Sequence, residues 1–107
     1  DFWNGSGATG CGILKISRSK SEIISYLNQN VPVVIYNSFP GGEFYGSAGG
    51  HAIVLVDINA NGEAYVINPW HGSKWNGWYS LDYILSFSPG KNAPNTMGSS
   101  GVGVVLN

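Results

Sequence analysis

The sequence predicts an α+β domain, a mostly antiparallel sheet with one or two helices packed on it. Several apolar runs have the length of strands, Gly- and Asn-rich turns separate them, and two segments have the polar cap and spaced apolar residues of a helix. With 107 residues, of which 43% are hydrophobic, the chain can build one modest core. Residues 1–107 are therefore expected to form a single domain.

The N-terminal half is expected to hold a strand, a helix and a second strand. Residues 13–17 have the apolar character of a short strand. Ser19 begins a helix with the spacing of a capping box, in which its hydroxyl accepts from a backbone amide and Glu22 reaches back to Ser19. This helix ends near residues 28–30, and residues 31–36 then form a buried strand with Pro32 at its entry.

The C-terminal half is expected to be a hairpin followed by a short helix and a last strand. Residues 37–50 contain five glycines and indicate a surface loop. Residues 51–57 and 63–68 form two strands joined by a tight turn over residues 58–62. Residues 75–79 are extended, residues 80–85 form a helix capped by Ser80, residues 88–100 form a loop and residues 101–106 form a strand.

This hairpin brings a histidine and an asparagine together. If the turn is centred on Asn59 and Ala60, His51 lies directly opposite Asn68, and directly opposed Cβ atoms lie about 4.5 to 5.5 Å apart. The Asn68 amide oxygen can then accept a hydrogen bond from the imidazole of His51 and fix its tautomer and orientation. A general base held by a third group is what a cysteine or serine nucleophile needs for activation.

Two short motifs carry a family resemblance. Gly49-Gly50-His51 before an apolar strand, and Asn68-Pro69-Trp70 after the turn, resemble the histidine strand and the Asn-x-Trp strand of papain-like cysteine peptidases. The likeness is closer to the bacterial staphopain and streptopain members and to the double-glycine peptidase-like group. The resemblance implies a papain-like fold, of which this chain is the sheet-bearing C-terminal part. It also implies that His51 is the base, that Asn68 orients it, that Trp70 shields their hydrogen bond and that Gly50 lies in the cleft.

The nucleophile departs from the family pattern. In that family the cysteine opens a long buried helix, whereas Cys11 precedes a strand-like segment. Ala8-Thr9-Gly10-Cys11 nevertheless resembles the cysteine motif of streptopain, which keeps Cys11 as a candidate nucleophile. The alternative is a cysteine on a companion chain or on a removed N-terminal half. That alternative fits the absence of a methionine start, which suggests a processed chain.

Composition argues against several other classes of function. A charged fraction of 10%, a net charge of -1 and no basic run give no electrostatic footprint for nucleic acid. No segment approaches the roughly 18 to 20 apolar residues of a membrane span. His51 and His71 lack further ligands at suitable spacing, so neither a metal nor another cofactor is expected. The abundance of Gly, Ser and Asn over Lys and Glu suggests a secreted bacterial protein.

The leading hypothesis is a papain-like thiol hydrolase, a cysteine peptidase that cleaves polypeptide substrates through an acyl thioester. One alternative is a catalytically silent binding or scaffold fragment that kept the hairpin without the nucleophile. Another is a deamidating or transglutaminase-type toxin, since the same residues serve those reactions.

Overall fold

The computed structural model describes residues 12–41, 49–68, 75–90 and 98–106. Within these ranges six strands form one sheet in the order β1-β6-β2-β3-β4-β5, and every neighbouring pair is antiparallel. The strands are β1 (Gly12–Lys15), β2 (Val33–Phe39), β3 (Gly49–Ile58), β4 (Glu63–Ile67), β5 (Gly77–Ser80) and β6 (Val102–Leu106). The helices are α1 (Lys20–Asn28) and α2 (Leu81–Leu85), with a 3₁₀ turn at Gly98–Ser100. The predicted α+β class is confirmed.

Both helices pack on the same face of the sheet. They bury apolar side chains against alternate residues of the four central strands, which is the period expected when one face of a sheet meets the core. The helix residues in this cluster are Ile23, Leu27, Leu81 and Ile84, and the strand residues include Val33, Ile35, Ile53, Leu55, Ala64, Val66, Val102 and Val104. We call this side of the sheet the core face. No helix in the described ranges is long and apolar enough to cross a membrane.

The helix starts follow the sequence prediction with one difference. Ser19 caps α1 by accepting from the Glu22 amide at 3.4 Å, and Ser80 caps α2 by accepting from the Tyr83 amide at 3.4 Å. The Glu22 carboxylate does not return to Ser19 as the capping box predicts, because Ser17 offers it two donors. The Ser17 amide and hydroxyl donate to Glu22 Oε1 at 3.2 and 2.6 Å.

The predicted surface loop over residues 37–50 is wrong at both ends. β2 continues to Phe39 and β3 begins at Gly49, so that Asn37 pairs with His51 and Phe39 pairs with Gly49. The extension is stable because the buried Asn37 side chain finds hydrogen-bond partners inside the protein, which removes the usual cost of burying an amide.

The predicted register of the β3–β4 hairpin is also wrong. Its turn spans Asn59 to Gly62, within the predicted residues 58–62, but it is centred on Ala60 and Asn61 rather than on Asn59 and Ala60. Val54 pairs with Ile67, and a β-bulge between Leu55 and Asp57 leaves Val56 as an extra residue. The same register continued by one residue places Asn68 opposite Ile53. His51 and Asn68 are therefore diagonal neighbours rather than directly opposed ones, and both belong to the core-face series of their strands.

Candidate active site

His51 occupies the third position of β3, on the core face and close to the end of the sheet where β3 begins. Its pairing partner on the neighbouring strand β2 is the buried Asn37. His51 is partly buried.

Asn68 follows the last residue of β4 and is 1% exposed. The Nε2 atom of His51 lies 2.8 Å from Oδ1 of Asn68, the distance of a good hydrogen bond. Diagonal neighbours on an antiparallel pair lie farther apart than opposed ones but remain within reach of long side chains. The imidazole of His51 bridges that extra distance, so the predicted contact forms through a different register.

The hydrogen bond assigns roles to the two imidazole nitrogens. An amide oxygen only accepts, so Nε2 of His51 carries the proton and donates it to Asn68. The neutral ring then has its lone pair on Nδ1. The pair therefore presents an oriented base at Nδ1, and the Asn68 oxygen also stabilises the imidazolium that forms when Nδ1 takes up a proton.

An aromatic cluster packs beside the imidazole. The Phe39 and His51 rings meet edge to face, with centroids 6.3 Å apart and an interplanar angle of 61°. Phe87 packs on Phe39 at 4.9 Å, and the partly exposed Tyr83 packs on Phe87 at 5.2 Å. These rings give one side of the site an apolar wall, and edge-to-face pairs of this kind contribute about 0.5 to 1.5 kcal/mol beyond their burial.

A polar network lies behind this wall and includes residues that the sequence analysis did not single out. Arg18 donates to Oδ1 of Asn37 at 2.6 Å, to the Phe87 carbonyl at 2.8 Å and to the Ser100 carbonyl at 3.1 Å. Asn37 in turn donates to the Ile84 carbonyl at 2.9 Å. The guanidinium thus ties β2 to the two segments that follow α2 and precede β6, both on the side of β2 away from β3.

Burial lowers the pKa of Arg18 below its ordinary value, because desolvation penalises the charged form. The described acceptors of this cation are neutral oxygens. The sequence did contain a signal for Asn37, since it continues the period-two series of buried residues that starts at Val33 and Ile35. The glycines that follow Asn37 favoured a loop instead.

Gly50, which was expected to lie in the cleft, is exposed and stands next to His51 on β3. A Cβ atom at this position would come within 2.5 Å of the Tyr36 hydroxyl. Tyr36 also lies against Gly90, where a Cβ atom would meet its ring. The Tyr36 ring is therefore held between two glycines, and Gly50 is the residue that leaves room for it.

The remaining predicted site residues, Cys11 and Trp70, lie outside the described residues, as does His71. Metal ligands are a separate question. Over residues 12–41, 49–68, 75–90 and 98–106, no group of three or more His, Cys, Asp or Glu residues stands in a position to hold a metal ion.

Comparison with known proteins identifies a family. The model of the family described as "Peptidase_C39 like family" matches residues 3–92, which is more than half of the chain and includes both His51 and Asn68. No curated protein matches the chain.

Proposed function

Since this chain belongs to the Peptidase_C39-like family, we propose that it supplies the base and the orienting residue of a papain-like thiol hydrolase. The reaction is that of a cysteine peptidase, and the substrate is a polypeptide. The observation that carries the proposal is the hydrogen bond of 2.8 Å between Nε2 of His51 and the buried Oδ1 of Asn68. A family of peptidases and an oriented imidazole support the same chemistry.

In this mechanism Nδ1 of His51 takes the proton of a cysteine thiol, and Asn68 stabilises the resulting imidazolium through Nε2. The thiolate attacks the carbonyl carbon of the scissile peptide bond. As the C–N bond breaks, the imidazolium returns its proton to the leaving amine, and a thioester remains. Water then attacks the thioester while His51 accepts its proton, the C–S bond breaks, and the imidazolium returns that proton to the departing thiolate. The acid product leaves as its carboxylate after giving its own proton to solvent.

We also propose that the nucleophile comes from a polypeptide segment other than the one around Cys11. Register pairs across β1, β6, β2 and β3 align Lys15 with Val54. Because β1 and β3 run in opposite directions, Gly12 lies about 20 Å along the strands and about 14 Å across them from His51. Cys11 itself lies outside the described residues, and Gly12 is the residue that follows it in the sequence. This separation supports a companion chain or segment that carries the catalytic cysteine.

Thiol labelling tests the proposal. The material as purified and the isolated chain are treated with iodoacetamide at mildly acidic pH, where an ordinary thiol of pKa about 8.5 reacts slowly and a thiolate paired with an imidazolium reacts fast. Intact mass spectrometry then locates the adduct. We expect fast labelling of a cysteine on a second polypeptide, lost in His51→Ala, and unchanged in Cys11→Ser.

Two other outcomes are informative. Fast labelling of Cys11 that depends on His51 would contradict the companion segment and make this chain a complete enzyme. If no thiol in either preparation reacts faster than in the His51→Ala control, the thiol hydrolase is wrong. In that case the binding or scaffold hypothesis remains.

A further inference from the structure

The backbone of Asn68 has a hydrogen-bond partner that the sequence motif does not include. Its amide donates to Oδ1 of Asn76 at 2.7 Å. Asn68 is 1% exposed and lies one residue beyond β4, so neither water nor a regular strand partner is the natural acceptor for this amide. The Asn76 side chain takes the place of that acceptor.

Asn76 is held in position from both sides along the chain. Gly77 pairs with Val66 at the start of β5. Its φ of 152° is a backbone conformation that residues with a Cβ atom rarely adopt. On the other side, the Tyr79 hydroxyl donates to the Trp75 carbonyl at 3.0 Å. The Asn76 oxygen is therefore presented to Asn68 by a fixed segment of backbone.

The sequence also restricts the backbone of Asn68. Pro69 follows it in the sequence, and a residue before proline is restricted to extended backbone conformations. The Asn76 bond then fixes the end of the chain from which the Asn68 side chain projects. The direction of that side chain determines where Oδ1 meets Nε2 of His51.

We propose that Asn76 is a positioning residue for the catalytic pair, acting through the Asn68 backbone on the orientation of His51. The inference rests on the proposed function for its catalytic meaning, and on the hydrogen bonds from Asn76 to Asn68 to His51 for its geometry. A thiol hydrolase of this kind then depends on three side chains, one from β3, one from the residue after β4 and one from the residue before β5.

The test observes the imidazole directly and needs no substrate. In ¹⁵N-labelled chain, the proton on Nε2 of His51 is detected by NMR, and its exchange with water is measured, with His71→Gln used to assign the signal. We expect Asn76→Ala to speed this exchange roughly tenfold or more, as Asn68→Ala does, because the acceptor is displaced. Asn76→Asp keeps an oxygen at the same place and should keep the slow exchange.

The Asn68 backbone amide gives a second readout from the same samples. Its hydrogen exchange should accelerate in Asn76→Ala and in Gly77→Ala, and stay slow in Asn76→Asp. The Asp variant, which keeps an acceptor oxygen for the Asn68 amide, also separates a positioning role from a folding role. If Asn76→Ala is folded and the His51 signal is unchanged, or if Asp does not rescue it, the positioning role is wrong. If Asn76→Ala does not fold, the comparison of Asn76→Asp with the shorter Asn76→Ser decides in the same way.

Turnover distinguishes this inference from the proposed function. In a preparation whose cysteine is labelled fast, Asn76→Ala should lower kcat about tenfold and change KM little, because it disturbs the base and not the substrate contacts. If the proposed function is wrong, the wild-type preparation shows no fast labelling, while the His51 signal still depends on Asn76. If the inference is wrong, the wild type is active and the His51 signal is the same in Asn76→Ala as in the wild type.

Discussion

Two buried asparagines define the site at the scale of single residues. Asn37 is 0% exposed and Asn68 is 1% exposed, and each is bonded through its side chain to another part of the fold. A buried amide is costly unless its hydrogen bonds are satisfied. Asn68 could be found from the sequence because a local motif marks it. The period-two series of β2 indicates the burial of Asn37, but no local motif marks its hydrogen-bond partners Arg18 and Ile84, which lie far away in the chain.

Arg18 allows a test of the network beside His51. In Arg18→Met, the buried oxygen of Asn37 and two backbone carbonyls lose their donor, while the cost of desolvating the guanidinium is relieved. We expect the free energy of unfolding, measured by urea denaturation, to fall by about 2 kcal/mol.

Lys20→Met is the matched control for Arg18→Met. It removes the cation of an ion pair with Asp82 whose side chains are 46% and 73% exposed. Exposed ion pairs contribute about 0.5 kcal/mol or less in many cases. Equal losses in the two variants would contradict the structural role of the Arg18 network.

At the scale of elements, the β-bulge in β3 decides which faces the two strands of the hairpin share. On the turn side of the bulge, Ile58 pairs with Ala64. If that register continued unchanged, Asn68 would lie opposite Val54 and on the other face from His51. The extra residue Val56 shifts the register by one, and a shift of one exchanges the faces of a strand. The bulge therefore brings His51 and Asn68 to the same face.

Asn59 is expected to stabilise this hairpin through its turn. Its Oδ1 accepts from the amides of Asn61 and Glu63 at 3.0 and 2.9 Å, and its Nδ2 donates to the Glu63 carboxylate at 3.0 Å. Asn59→Ala should lower the free energy of unfolding by about 1 to 2 kcal/mol. The side chain of Asn61 is exposed in the same turn, so Asn61→Ala is the control, with an expected loss of about 0.5 kcal/mol or less.

Urea denaturation measures the free energy of unfolding of both turn variants. A loss in Asn61→Ala as large as that in Asn59→Ala would show that the turn depends on the backbone conformation of its residues rather than on the Asn59 side chain.

At the scale of the whole molecule, the order of the strands separates the N-terminal strand from the base. β1 is an edge strand, and β6 and β2 stand between it and β3. The last strand in the sequence is inserted next to the first, which places the segment that follows Cys11 on the opposite side of the sheet from β4 and β5. This arrangement is the reason to look for the nucleophile elsewhere.

A spin label on Cys11 measures this separation, since it is the single cysteine of the chain. Paramagnetic broadening should be strong at the amides of Leu14 and Val105, and weak at His51, which lies more than about 20 Å from Gly12. As a positive control, Ser38→Cys in a Cys11→Ser background places the label on β2, one residue from the partner of His51. Broadening of His51 from Cys11 as strong as from that control would return Cys11 to the site.

The sequence by itself determined the two residues of the pair and the elements that carry them. His51 and Asn68 lie on neighbouring strands joined by a tight turn, so local patterns of apolar residues, turn residues and a short motif were sufficient to bring them together. The family match includes both residues, and the hydrogen bond between them is present in the structure.

Only the tertiary structure decided how that contact is made and what supports it. The bulge sets the register, and the extension of β2 puts Asn37 beside His51. Arg18 reaches oxygens from residues 19, 69 and 82 positions away in the sequence. Contacts of that separation leave no periodic trace in the sequence, because they depend on the order in which the strands assemble rather than on the residues next to them in the chain.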